Sequence, residues 1–170
     1  MSASLVKTQY RLEHPLVLER EIAAPLEMVW QAHTQADHLS QWWGPVGLVN
    51  RVICLDLRPG GIFLYSMTTA EGNKVWGKWN FLEVQAPTRL VYLLSFSTES
   101  GKTIRYPDEP TWPLEMYATT TFTSKGEHTV IRQQLAPWNA SEQEHATFAI
   151  GKESMKGGFN ATWDELDQYL

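Results

Sequence analysis

His33, Asp37 and His38 are the first residues whose types and spacing suggest chemistry. A histidine and an aspartate four apart share one face of a helix, where they could hold a metal ion or act as an acid–base pair. No third ligand follows at metal-site spacing, and Asp37 serves better as a helix N-cap, so neither a metal site nor a catalytic dyad is assigned. Arg58, followed by Pro59-Gly60-Gly61, carries the charge to hold an anion. An arginine before such a turn more often pairs with a nearby carboxylate, here Asp56. A third set is Tyr65, Tyr92, Glu115 and Tyr117. An enzyme of cyclase or aldolase type, acting on a conjugated carbonyl substrate, would need one such group to polarise the carbonyl and another to move a proton. The sequence has no Gly-x-Ser-x-Gly elbow, Walker loop, Cys/His metal spacing or dinucleotide fingerprint. No cofactor is expected, and a binding role is preferred to a catalytic one.

Aromatic residues carry a different suggestion. Trp42-Trp43-Gly44-Pro45 puts two large rings at a chain reversal, where they plug a core or wall a cavity. With the aromatic and methionine positions downstream, the cavity is the better reading. Its expected lining is Trp43, Phe63, Tyr65, Met155 and Phe159, joined by Trp76, Tyr92 and Met116. Trp76 and Trp79 are three apart on one strand, so they point to opposite faces and cannot both line it.

The elements that must position these residues follow from periodicity. Residues 16–23 read as a strand, ended by Ala24-Pro25, and proline suits the first turn of a helix. Leu26, Val29, Trp30 and His33 recur at helical spacing, and a second short helix runs from His38 to Trp42, stopped by Gly44-Pro45. Strand patterns cover 49–57, 62–67, 74–84 and 89–96, separated by Pro- and Gly-bearing turns. The long connection 97–114, with a short strand at 103–106, is expected to gate the cavity. A hairpin of 115–123 and 128–135 follows. Ser141 with Glu144 three residues on is a capping box, opening one long helix whose Phe148, Met155, Phe159, Trp163 and Leu166 share a face. A break is expected at Gly157-Gly158.

Composition narrows the classes. At 170 residues the chain makes one domain able to bury a full core. Its net charge of −5, with no Lys/Arg run, excludes a nucleic-acid footprint and argues against an anionic membrane surface. No stretch is long and apolar enough for membrane insertion, and no signal-peptide pattern opens the chain, so a cytoplasmic location is expected. Cys54 is the single cysteine and sits in an apolar strand pattern, which makes it a small buried residue.

Strand, two short helices, a run of antiparallel strands and one long C-terminal helix is the order of the helix-grip fold. Local matches add to it: Pro25…Val29-Trp30, Asp37…Trp42-Trp43-Gly44-Pro45, Asp56-Leu57-Arg58-Pro59-Gly60-Gly61, Gly77…Glu83-Val84, Pro87…Arg89-Leu90 and Gly158-Phe159…Trp163…Leu166. On these the chain resembles the group named after the activator of the heat-shock protein 90 ATPase, within the START-like superfamily. The resemblance implies an α+β fold in which a curved antiparallel sheet wraps a long C-terminal helix. Residues 16–170 would form this one domain behind an N-terminal extension of residues 1–15. That fold serves lipid carriers, polyketide cyclases, hormone receptors and chaperone regulators, and the group brings no shared catalytic motif. The expectation is therefore a small hydrophobic or aromatic ligand held between sheet and last helix. The alternatives are the cyclase-type enzyme in the same cavity, or a chaperone-interacting or dimeric regulatory module. A homodimer would use surplus tryptophans such as Trp112 and Trp138.

Overall fold

The structure, a computed structural model, describes residues 12–170; most of the expected extension 1–15 lies outside the described residues. Eight strands and three helices follow in the expected order. They are β1 (Leu16–Ile22), α1 (Leu26–Thr34), α2 (Ala36–Trp42), β2 (Val49–Leu55), β3 (Ile62–Thr68) and β4 (Lys74–Gln85). Then come β5 (Arg89–Ser97), β6 (Thr103–Ile104), β7 (Glu115–Lys125), β8 (His128–Trp138) and α3 (Glu142–Tyr169). One antiparallel sheet runs in the order β1-β8-β7-β5-β4-β3-β2, with the short β6 paired to β5.

Alternation along the strands gives the sheet a buried concave face. Leu16, Leu18 and Ile22 of β1, Phe81 and Trp79 of β4, Leu90 and Tyr92 of β5, and Ile131 and Leu135 of β8 all point into the core. α1, α2 and the C-terminal half of α3 cover that face. Val29, Leu39, Trp163 and Leu166 are buried there. On the rim, Arg20 of β1 reaches Asp164 at 2.7 Å and Asp167 at 3.1 Å, pinning the end of α3 to the first strand. At the other end of α3 the capping box forms as expected, the Ser141 hydroxyl accepting from the Glu144 N–H and the Glu144 carboxylate from the Ser141 N–H.

Local chemistry revises four expectations. Asp37 is not the cap of α2; the helix begins at Ala36 after Gln35, and Asp37 lies in its first turn, where its negative charge meets the positive end of the helix. α3 runs unbroken through Gly157-Gly158, and a Cβ at either glycine would meet nothing within 4 Å. Cys54 is exposed rather than buried, because β2 is an edge strand and a bulge between Val52 and Cys54 shifts its alternation. The hairpin β7–β8 pairs from Glu115↔Trp138 to Lys125↔His128, leaving only Gly126-Glu127 in the turn. Gly126 supplies its positive φ of 65°.

Candidate functional site

Neighbouring strands put side chains in rows across the concave face. One row is Phe63, Trp79 and Leu94; the next, towards the open end, is Tyr65, Gly77 and Phe96. The first row is filled. The second has no side chain of its own at its centre, and Tyr65 lies across the gap so closely that a Cβ at Gly77 would overlap its Cζ, Cε2 and hydroxyl oxygen. Core therefore gives way to cavity along the same strands. Above the gap is a cleft of about 390 Å³, bounded by Tyr65, Leu94, Phe96 and Met116 of the sheet, Met155 and Phe159 of α3, and Tyr106 and Trp112 of the connection.

Five of the eight residues expected to line a cavity border this cleft: Tyr65, Trp76, Met116, Met155 and Phe159. Trp76 does so from its backbone side. Its ring stands on the opposite face of β4 from Trp79, with the Lys74 ammonium 5.4 Å above it. Trp43, Phe63 and Tyr92 lie deeper, in a cluster of rings behind Tyr65. Trp43 meets Trp79 edge-on at 5.0 Å, Phe63 meets Trp79 at 5.2 Å, and Trp79 stacks on Tyr92 at 4.1 Å.

The two inward tyrosines differ. Tyr92 is wholly buried, and its hydroxyl is used inside the core: it accepts from the Gln133 side chain at 2.8 Å and pairs with the Thr120 hydroxyl at 3.2 Å. Burial pushes its phenol up to about 12. Tyr65 is 8% exposed, and the indole N–H groups of Trp43 and Trp79 face its hydroxyl without completing a hydrogen bond of full geometry. Burial raises its phenol strongly and the nearby Tyr92 adds to this, while the indole N–H groups of Trp43 and Trp79 act in the other direction. Neither indole N–H finds another acceptor.

The connection between β5 and β7 is tied down at both ends. Near its start the Lys78 ammonium, on the convex face, donates to the Gly101 carbonyl at 2.8 Å and the Thr103 hydroxyl at 2.7 Å. Burial holds that ammonium below its ordinary value, and Glu115 partly restores it. Further on, Arg105 meets Glu144 of the α3 capping box at 2.6 Å, Thr111 pairs with Thr147 at 2.8 Å, and the Trp112 ring packs on Gly151. Tyr106 stacks on Phe96 at 4.5 Å. At the mouth Glu109 accepts from both the N–H and the hydroxyl of Thr111, which hold its carboxyl below the usual range.

The remaining candidates separate. Glu115 and Tyr117 alternate with the inward Met116 and so face the convex side, away from Tyr65 and Tyr92. The sheet thus divides the proposed proton-transfer set two and two. His33 is buried between Trp42 and Phe122, its Nδ1 2.8 Å from the Val29 carbonyl, and desolvation lowers it to about 4. His38 bonds the Tyr169 hydroxyl at 2.6 Å. Among the described residues no group of three or more His, Cys, Asp or Glu is placed to hold a metal ion. Arg58 pairs with Asp56 through both carboxylate oxygens, which anchors the turn. Trp112 and Trp138, the tryptophans that suggested a dimer surface, find partners within the chain: Trp112 on α3, and Trp138 stacked on Tyr117 at 5.5 Å. No helix among the described residues is long and apolar enough to cross a membrane.

Sequence reading missed Gly77, Phe96, Tyr106 and Trp112. Phe96 was within reach, since it follows Tyr92 and Leu94 at period two. Tyr106 and Trp112 sit in an irregular segment with no periodicity to place them.

Comparison with known proteins agrees with this architecture. The family described as "Activator of Hsp90 ATPase homolog 1-like protein" matches residues 23–170. A crystal structure from Mycobacterium smegmatis is 25% identical with a TM-score of 0.73, over 94% of this chain and 95% of that one. One from Nitrosomonas europaea is 27% identical with a TM-score of 0.67, over 92% and 93%. A solution structure from Arthrobacter aurescens is 22% identical with a TM-score of 0.74, over 90% and 83%. No curated protein matches the sequence.

Proposed function

This chain belongs to the activator of Hsp90 ATPase homolog 1-like family, and on that premise we propose that it binds a small hydrophobic or aromatic molecule between its sheet and α3. The observation that carries this reading is the cleft above the second row of the concave face, where Gly77 leaves room for the Tyr65 ring to lie over the strand. Between that ring, α3 and the tethered connection remain about 390 Å³ with largely apolar walls. That is within the range of small-molecule sites. The driving force is burial of ligand apolar surface, about 25 cal/mol per Å² before the costs of association. The proposed contacts are Tyr65, Met116, Met155 and Phe159 as walls. Trp43, Phe63 and Tyr92 back them, and Trp76 sits at the edge.

The test is fluorescence titration with the naphthyl ketone prodan, which is small enough for the cleft and brightens in apolar surroundings. Saturable one-to-one binding is expected, and Phe159→Asp, which puts a charge on the α3 wall, abolishes it. Absence of saturable binding, or equal binding by a folded Phe159→Asp variant, overturns the proposal.

A further inference from the structure

We infer that the Tyr65 hydroxyl is the polar anchor of this cavity, donating a hydrogen bond to a carbonyl-type oxygen on an uncharged, otherwise apolar ligand. The inference rests on the cavity reading above and adds the chemistry of its occupant.

Three observations converge on it. First, Tyr65 is more than nine-tenths buried and borders the cleft, and its hydroxyl donates to no acceptor among the described residues, whereas the neighbouring Tyr92 hydroxyl is satisfied by Gln133 and Thr120. A buried phenol proton left unpaired is costly, and Tyr and Trp usually place their polar atom against a partner. Second, Trp43 and Trp79 present their indole N–H groups to the Tyr65 oxygen and have no other acceptor. An indole can only donate. With donors on its lone-pair side, the phenol proton is the part of the group left to point elsewhere, and the open side is the cleft. Third, the glycine at position 77 exists in the company of this ring: any side chain there would displace it.

The same surroundings select the ligand. The phenol stays protonated in this environment, so it offers a donor and calls for an acceptor. The cleft is bordered by Leu94, Phe96, Met116, Met155 and Phe159 and by no arginine or lysine, while Glu109 stands at its mouth. A carboxylate or phosphate entering there meets a like charge and no counter-charge. A neutral ketone, aldehyde, ester or enone on an apolar skeleton meets both requirements.

The test compares prodan with its analogue bearing a propyl group in place of the propionyl, against the full chain and Tyr65→Phe. The phenylalanine keeps the ring over Gly77 and removes only the hydroxyl. Prodan affinity is expected to fall about tenfold in Tyr65→Phe, with the propyl analogue unchanged. Tyr117→Phe, on the convex face of the sheet, should leave the ratio of the two affinities at the wild-type value. Equal effects of Tyr65→Phe on both probes, or none on either, overturns the donor assignment while the cavity reading stands. A Tyr117→Phe variant that shifts the ratio as far as Tyr65→Phe also overturns it. Failure of the wild-type chain to bind either probe overturns the cavity reading and the anchor with it.

Discussion

The six-membered ring of Trp112 lies against the α-carbon of Gly151, so close that a methyl group there would come within 2.7 Å of its Cζ3. This contact joins the β5–β7 connection to the middle of α3. Arg105–Glu144 and Thr111–Thr147 extend the same seam towards the N-terminus of α3. A segment that sequence alone casts as a gate is thus held to the helix by a ring, an ion pair and a hydroxyl pair.

Gly151→Ala should therefore lower stability, although alanine is better in a helix by about 1 kcal/mol. Overpacking against Trp112 costs about 1–3 kcal/mol and outweighs the gain. In a Trp112→Leu background, where the methyl has room, the same change should become stabilising by up to about 1 kcal/mol. Urea unfolding of the four proteins reads the sign in each background; the same sign in both refutes the contact.

Gly77→Ala should be more damaging, because the added carbon overlaps the hydroxyl-bearing edge of the Tyr65 ring and the ring must swing into the cleft. A loss of about 1–3 kcal/mol is expected, together with loss of prodan binding. Combined with Tyr65→Ala, the penalty of Gly77→Ala should largely vanish, a non-additivity that marks direct contact. Additive losses in the double variant would show that the glycine serves something other than the ring.

His33 makes the protein acid-sensitive. Burial lowers its pKa from 6.5 to about 4, and the Val29 carbonyl opposes this only in part. The unfolded chain thus binds the proton more readily. The stability contributed by the neutral ring is full above the unfolded value and drains away as pH falls towards the folded one. Between pH 7 and pH 5 the loss from this group is about 2 kcal/mol. In His33→Phe, which keeps an aromatic ring against Trp42 and Phe122, that part of the pH dependence should disappear. Parallel stability-versus-pH curves for the two proteins would overturn the assignment.

Much of the fold was legible because its signals are local. Strand patterns between Pro- and Gly-bearing turns marked β3, β4 and β5, the Ser141–Glu144 box marked the start of α3, and Arg58-Pro59-Gly60-Gly61 marked a turn. The site was legible only in part. Helical spacing on α3 picked out Met155 and Phe159, and alternation separated Trp76 from Trp79. What failed was depth: Tyr92 and Tyr65 have the same inward parity, yet one ends in the core and the other at the cavity floor. The difference is set by which row of the sheet each joins, a matter of register between strands distant in sequence. Gly77 stood in the sequence only as one of the local family matches, and its part in the site depends on the Tyr65 ring that the neighbouring strand lays over it.

The clamp of Arg20 on Asp164 and Asp167 has a consequence for how the chain is made. It joins residues 144 or more positions apart, and α3 follows every strand of the sheet. A ribosome delivering this chain from its N-terminus releases β1, α1 and α2 well before α3. Throughout that interval only α1 and α2 shield the concave face, and the part that α3 covers has no lid. Synthesis is therefore the period in which this protein most needs shelter from sticking to its neighbours, and the arrival of α3 both ends that exposure and creates the cavity.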